Sequence, residues 1–225
     1  MESSVRSFVR QGVRPEVFVH TLRYFDAWNL CIERATGKYL CLAHHDDVYW
    51  PSFAQETVRF LEAHPKAAGV STLDYFTDEC GRPIGSTPMA LDPRNDLHDF
   101  AEVFRAVVLH RNVLRTETMV WRTEAIRHLR IREDYTPADD KDFQFNVLAE
   151  VGPIGVIPRP LVWYRVHDAS VSERIKRNPE WVTRWLGSVK YWGERYPQVI
   201  TDEIRPMYEG LMSVRDYAIG QMSDA

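Results

Sequence analysis

Between Tyr24 and Phe76 the spacing of the apolar residues switches three times, and this alternation constrains the fold more than any other feature of the chain. Tyr24, Trp28, Cys31, Ile32 and Ala35 recur at helical spacing, and Gly37 follows as a stop signal. The run "YLCLA", residues 39–43, is short and apolar throughout, as a strand covered on both faces would be. After Pro51, Ser52 and Gln55 have the spacing of a capping box, and the helix they open is predicted to end near Ala63, before Pro65. Residues 68–76, "AGVSTLDYF", read as the next strand, closed by a turn near Gly81. Helix, strand, helix, strand in this order predicts an α/β layer fold.

The pattern continues less regularly. "EVFVH", residues 16–20, has the length and composition of a short strand. Residues 82–96 carry Pro and Gly at turn density and read as a surface loop. Phe100, Val103, Phe104, Val107 and Val108 mark an amphipathic helix. "TETMVW" (116–121) predicts a strand and "TEAIRHL" (123–129) a short helix. Residues 137–152 predict a helix with Asp139, Asp140 and Asp142 in its first turn and Gly152 beyond its end. "IGVIP" and "LVWYRVH" are extended segments around Pro158 and Pro160. Trp181, Trp185, Tyr191, Trp192 and Tyr196 belong to a helical tail; such aromatics are more often core contacts than a platform for a sugar, and the sequence alone does not choose. The expected organisation is an α/β domain over residues 1–175 with a helical extension, 176–225, packed on it.

Composition narrows the class. The chain has 225 residues and 44% hydrophobic residues, enough for a core of good size. A net charge of −4 offers no basic field to nucleic acid. Cys31, Cys41 and Cys80 are odd in number and have no CxxC spacing, which argues for reduced thiols. No apolar run reaches the length of a membrane span, and the N-terminus lacks the apolar centre of a signal peptide. A soluble cytoplasmic protein is expected.

Three constellations offer chemistry. His44, His45, Asp46 and Asp47 stand where the apolar run stops. Ligands of open α/β sheets bind outside the carboxyl ends of the strands, and paired carboxylates there suit Mg²⁺ or Mn²⁺. The same spacing also fits a turn capped by Asp47, and the spacing alone does not choose. Asp139 and Asp140 open a helix. Carboxylates are favoured at that position by roughly 0.3–1 kcal/mol each, so a structural role competes with that of a general base. Arg165 and His167 lie two apart, on one side of an extended strand, where a guanidinium and an imidazole could hold a diphosphate or line a polar edge.

Taken in order, "WNLCIERATGKYLCLAHHDDVYWP" and "PADDKDFQFNVLAEVGPIGVIPRPLVWYRVHDASVS" resemble a family 2 glycosyltransferase. The first is similar to that family's helix, Ala-x-Gly turn, strand and Asp-x-Asp motif followed by Pro. The second is similar to its acidic pair before a helix, its Gly-x-Ile strand and its closing Tyr-Arg-x-His. The resemblance covers about residues 24–172. It implies a GT-A fold, a Rossmann-like mixed sheet flanked by helices, and inverting transfer from a nucleoside diphosphate sugar to a glycan or lipid-linked acceptor in polysaccharide or glycoconjugate synthesis.

By the same resemblance Asp46 would bind the cation, with His44 and Asp47 beside it. Asp140 would be the base and Asp139 its support, and Arg165, His167 and His45 would lie near the diphosphate. His44 stands where the family has the first Asp of its motif, which retunes the site, since imidazole is a poor Mg²⁺ ligand. No stretch before His44 matches the family's nucleobase and ribose turns, so the chain is read as starting near the third strand. A sheet opened there would invite pairing with another chain, and tails in this family also touch the inner face of membranes.

Two other classes compete. One is an inactive, truncated glycosyltransferase-like binding protein. The other is a metal phosphohydrolase using His20, His45 and Asp46, but such sites are built on helices and "YLCLA" reads as a strand.

Overall fold

The structure, a computed structural model, describes residues 22–110, 113–135, 138–168, 170 and 179–223. The segment 16–20, His20 and the end of the "DASVS" stretch therefore lie outside the described residues. The described chain runs α1 (Tyr24–Arg34), β1 (Tyr39–Cys41), β2 (Val48–Tyr49), α2 (Phe53–Ala63), β3 (Gly69–Thr77), β4 (Pro83–Ser86) and β5 (Leu97–His98). It continues through α3 (Phe100–His110), β6 (Met119–Arg122), α4 (Thr123–Ile126), α5 (Asp139–Glu150), β7 (Ile154–Arg165), α6 (Pro179–Arg195) and α7 (Arg205–Ser223). Short 3-10 turns occupy Thr116–Thr118, Glu133–Tyr135 and Pro197–Val199.

Among the described residues one mixed sheet of seven strands runs β1-β6-β3-β7-β2, with β4 on β3 and β5 on β7. Its centre is the parallel pair β3/β7; the other pairings are antiparallel. Each of the two long strands has different neighbours at its two ends. At its start β3 pairs with β6 and at its end with β4. At its start β7 pairs with β5 and toward its end with β2. The β3/β7 register slips between Thr72 and Asp74, where β7 carries Pro158 and Pro160. A proline has no N–H for the ladder, so a bulge there is the expected accommodation.

Side chains alternate across the sheet into two cores. Met119 and Trp121 join Phe104, Phe143, Phe145 and Trp192 under α3, α5 and α6, while Val120 joins Phe53, Leu61 and Val162 under α2. Buried Trp185 and Trp192 of α6 are core residues. This helix-covered mixed sheet agrees with the α/β, GT-A-like expectation.

The structure corrects five local readings. "TETMVW" is a strand only from Met119, since Thr116–Thr118 forms a 3-10 turn. The apolar run after Gly37 is a strand only over Tyr39–Cys41, half-buried rather than covered on both faces, and among the described residues it pairs with β6 alone. Ser52 precedes α2 but caps no backbone N–H; its hydroxyl donates to the Glu56 carboxylate at 2.5 Å, so the capping box does not form. The supposed loop 82–96 begins with strand β4, which gains its ladder from β3. Finally, β7 ends at Arg165, so His167 lies beyond the strand and not one pleat along it.

Candidate active site

Four segments meet near the carboxyl ends of β3 and β7. The first is 44–47, after β1. His44, Asp46 and Asp47 each offer a ligand atom within 4.8 Å of the others. His44 Nδ1 is 3.7 Å from Asp47 Oδ2. His45 points away: its side chain is 96% exposed and its Nδ1 stays 3.9 Å from Asp46 Oδ1.

The segment after β7 closes over this group. The His167 ring nitrogen Nε2 is 3.0 Å from Asp46 Oδ2. Arg165 reaches the cluster through its main chain, its N–H donating to Asp47 Oδ1 at 3.1 Å. A cavity of about 370 Å³ opens beside His167, lined also by Asp78, Glu79 and Arg82 of the β3–β4 turn.

Burial sets the electrostatics. Partial burial works to raise the Asp46 carboxyl, but the His167 bond, its own backbone and the neighbouring histidines leave it below the usual carboxylate range. Burial pushes Asp47 up to about 6, against the Arg165 N–H that stabilises its charge and with the charge of Glu117 adding to the rise. Asp47 Oδ2 and His44 Nε2 are buried with no hydrogen-bond partner. An unpaired buried acceptor is costly, and a cation bound by Asp47 Oδ2 would remove that cost there. Two carboxylates and one imidazole suit a divalent ion.

The acidic pair opens α5 nearby. Asp139 is buried, and Tyr24 Oη donates to its Oδ1 at 2.6 Å. Burial raises Asp139 to about 7; the Tyr24 bond opposes this, and the charge of Asp140 adds to it. Asp140 is more open. Its Oδ2 accepts from Thr116 Oγ1 at 3.0 Å, and its Oδ1 accepts the Lys141 N–H at 2.8 Å. Lys141 Nζ lies 3.7 Å from Asp140 Oδ2 and donates to the Leu114 carbonyl; burial lowers its pKa.

The turn at Arg115–Thr118 holds both halves. Thr116 bonds Asp140, and the Glu117 carbonyl accepts from Tyr49 Oη at 2.9 Å. Arg115 Nε lies 2.6 Å from Glu117 and 3.0 Å from buried Asp74, with its guanidinium 4.0 Å above the Tyr164 ring. A second link runs through α1. Trp28 stacks on His44, with centroids 5.7 Å apart and planes at 11°, and meets Tyr24 edge-on at 5.3 Å.

The sequence reading missed Tyr24, Trp28, Arg115, Thr116, Glu117 and Lys141. Tyr24 and Trp28 were visible only as members of an apolar helical face. Arg115, Thr116 and Glu117 carried no local signal, because their partners lie far away in the chain.

Comparison with known proteins identifies the family. The model of the family described as Glycosyl transferase family 2 matches residues 3–127. That match reaches nearer the N-terminus than the resemblance read over residues 24–172, and stops before the acidic pair. An uncharacterized glycosyltransferase of Haemophilus influenzae (strain ATCC 51907 / DSM 11121 / KW20 / Rd) is 29% identical over 161 residues, covering 68% of this chain and 48% of that protein. The chain thus spans about half the length of the curated relative it matches. With more than half of its residues inside the family match, the chain belongs to glycosyltransferase family 2.

Proposed function

We propose that these segments perform inverting transfer of a sugar from a nucleoside diphosphate sugar to an acceptor hydroxyl, in polysaccharide or glycoconjugate synthesis. The observation that carries this reading is the His44–Asp46–Asp47 group, in which Asp47 Oδ2 is buried without a hydrogen-bond partner. A divalent ion bound there, Mn²⁺ or Mg²⁺, would supply charge neutralisation for a departing diphosphate. His44, Asp46 and Asp47 would hold it, and His167 fixes the Asp46 carboxylate through their 3.0 Å contact.

Asp140 is the base in this reading. Its carboxylate, oriented by Thr116 and the Lys141 N–H, takes the acceptor proton as the acceptor oxygen bonds to the anomeric carbon. The bond from that carbon to the diphosphate oxygen breaks, and its electron pair leaves with the diphosphate. A single displacement inverts the anomeric centre. Asp139, half-protonated near neutral pH by its burial, stays beside the base as a support without a second full charge. No described helix is long and apolar enough to cross a membrane.

The test is calorimetric titration of the chain with UDP, GDP and dTDP, with and without Mn²⁺. One nucleotide is expected to bind, and only with the ion. Using the corresponding sugar donor, Asp140→Asn is expected to lower transfer by about 10²–10⁴-fold while nucleotide binding persists. A folded chain that binds none of the three nucleotides, or an Asp140→Asn variant with undiminished transfer, would sink the reading.

A further inference from the structure

The nitrogen donor of the cation group hangs on an irregular stretch after β1, where the backbone alone does not orient an imidazole. Its ring is nevertheless fixed on one face. The Trp28 indole lies nearly parallel to it, 5.7 Å away at 11°. Trp28 is itself braced, since the Tyr24 ring meets it edge-on at 5.3 Å and Tyr24 is tied to Asp139 at 2.6 Å. Tyr24 and Trp28 are four residues apart on α1, one helical turn, so one rigid element presents both rings on the same side. The stack leaves His44 Nδ1 directed toward Asp47, whose side chain is fully buried.

We propose that Trp28 is a positioning residue that holds His44 as a nitrogen ligand and thereby makes the cation site favour Mn²⁺ over Mg²⁺. This rests on the reading that His44, Asp46 and Asp47 bind a cation. The chemistry follows from the donor set. Mg²⁺ demands a near-ideal octahedron of oxygens and gives up its water reluctantly. A first-row transition ion accepts imidazole. A ring free to rotate leaves two carboxylates, which discriminate little between these ions. A ring held in place contributes a ligand that one ion uses and the other does not. Neighbours that orient a metal-binding histidine typically change metal affinity by 10–100-fold.

The experiment uses the full chain without nucleotide. Uptake of Mn²⁺ is followed by loss of the free-ion electron paramagnetic resonance signal, with Mg²⁺ as competitor and a thermal melt on every variant. The native chain is expected to take up Mn²⁺ and to resist Mg²⁺. Trp28→Leu should bind Mn²⁺ about tenfold more weakly with Mg²⁺ affinity unchanged, and Trp28→Phe should recover most of the loss by restoring a flat ring. His44→Asp should let Mg²⁺ compete on even terms. If Trp28→Leu melts early, its uptake is read well below its own melt, where the folded variant is still expected to show the tenfold loss for Mn²⁺ alone.

Native Mn²⁺ affinity in Trp28→Leu, or equal losses for both ions, would overturn the positioning role while leaving the cation site standing. A native chain that takes up no Mn²⁺ would overturn the cation reading and this inference with it. Neither result depends on knowing the sugar donor.

Discussion

Asp139 and Asp140 are neighbours in sequence, yet the fold treats them as different acids. Asp139 is 1% exposed, and burial raises it from an ordinary 3.8 to about 7. Between those values the folded state holds a proton that the unfolded chain has lost. Stability therefore falls as pH rises from about 4 to about 7. Asp139→Asn keeps an oxygen for Tyr24 and cannot ionise. It is expected to melt above the native chain at pH 8, with the margin shrinking toward pH 4; each pKa unit is worth about 1.4 kcal/mol. Melting curves at pH 4, 6 and 8 check this, and a margin that ignores pH would contradict it. The sequence announced two acids at a helix start and a plausible helix-dipole role for both. What it did not announce was the depth of the first, because Tyr24, the group that meets it, is 115 residues away. His45 shows the opposite limit: it shares the motif with His44, and the backbone turns it outward.

The third acid of that helix start belongs to the element scale. Asp142 accepts from both Nε and Nη2 of Arg132 at 2.8 and 2.7 Å, from Trp192 Nε1 at 2.8 Å and from Ser188 Oγ at 3.3 Å. It clamps α5 to α6 and to the segment before it. Asp142→Ala strands the guanidinium and a buried indole N–H, and is expected to remove roughly 3 kcal/mol. At about 2–4 °C per kcal/mol for a chain of this size, the melting temperature should fall by roughly 6–12 °C. A denaturant melt showing under about 1 kcal/mol would argue that the clamp is redundant. α1 and α3 were legible from their own period, α2 from the proline beyond its end, and α5, which is buried on most of its faces, from its acidic first turn and the glycine after it. β4 was not, because Pro-Ile-Gly-Ser has the composition of a turn and becomes a strand only against Tyr75–Thr77 of β3. β1 was legible as a strand but not as a half-buried one, since an apolar run states what a segment can bury and not what will cover it. The failed capping box has the same origin: Glu56 competes for the Ser52 hydroxyl one residue beyond the motif.

At the scale of the whole molecule the long strands β3 and β7 divide the work between their ends. Their starts are packed between the helical layers, and their carboxyl ends carry Asp74, Arg165 and the segment to His167. Such a division predicts that packing at one end can be damaged without touching the chemistry at the other. Gly155 offers the test. Added there, a Cβ would lie 2.1 Å from Phe60 Cε1 and 2.5 Å from Cζ, so α2 rests directly on β7 at this point. Phe60 in turn stacks on His64 with centroids 4.2 Å apart, so its ring cannot step aside without giving up that contact. Overpacking of this kind costs about 1–3 kcal/mol, and the lower half of that range applies because the obstacle is the tip of a side chain. Ten residues of strand, roughly 30 Å at about 3.3 Å each, separate Gly155 from Arg165. Gly155→Ala is thus expected to lower the melting temperature by several degrees while Mn²⁺ uptake, measured well below the melt, stays at the native value. A matching loss of uptake would mean that the sheet transmits strain along β7 to the His44–Asp46–Asp47 group, and that its two ends are not independent.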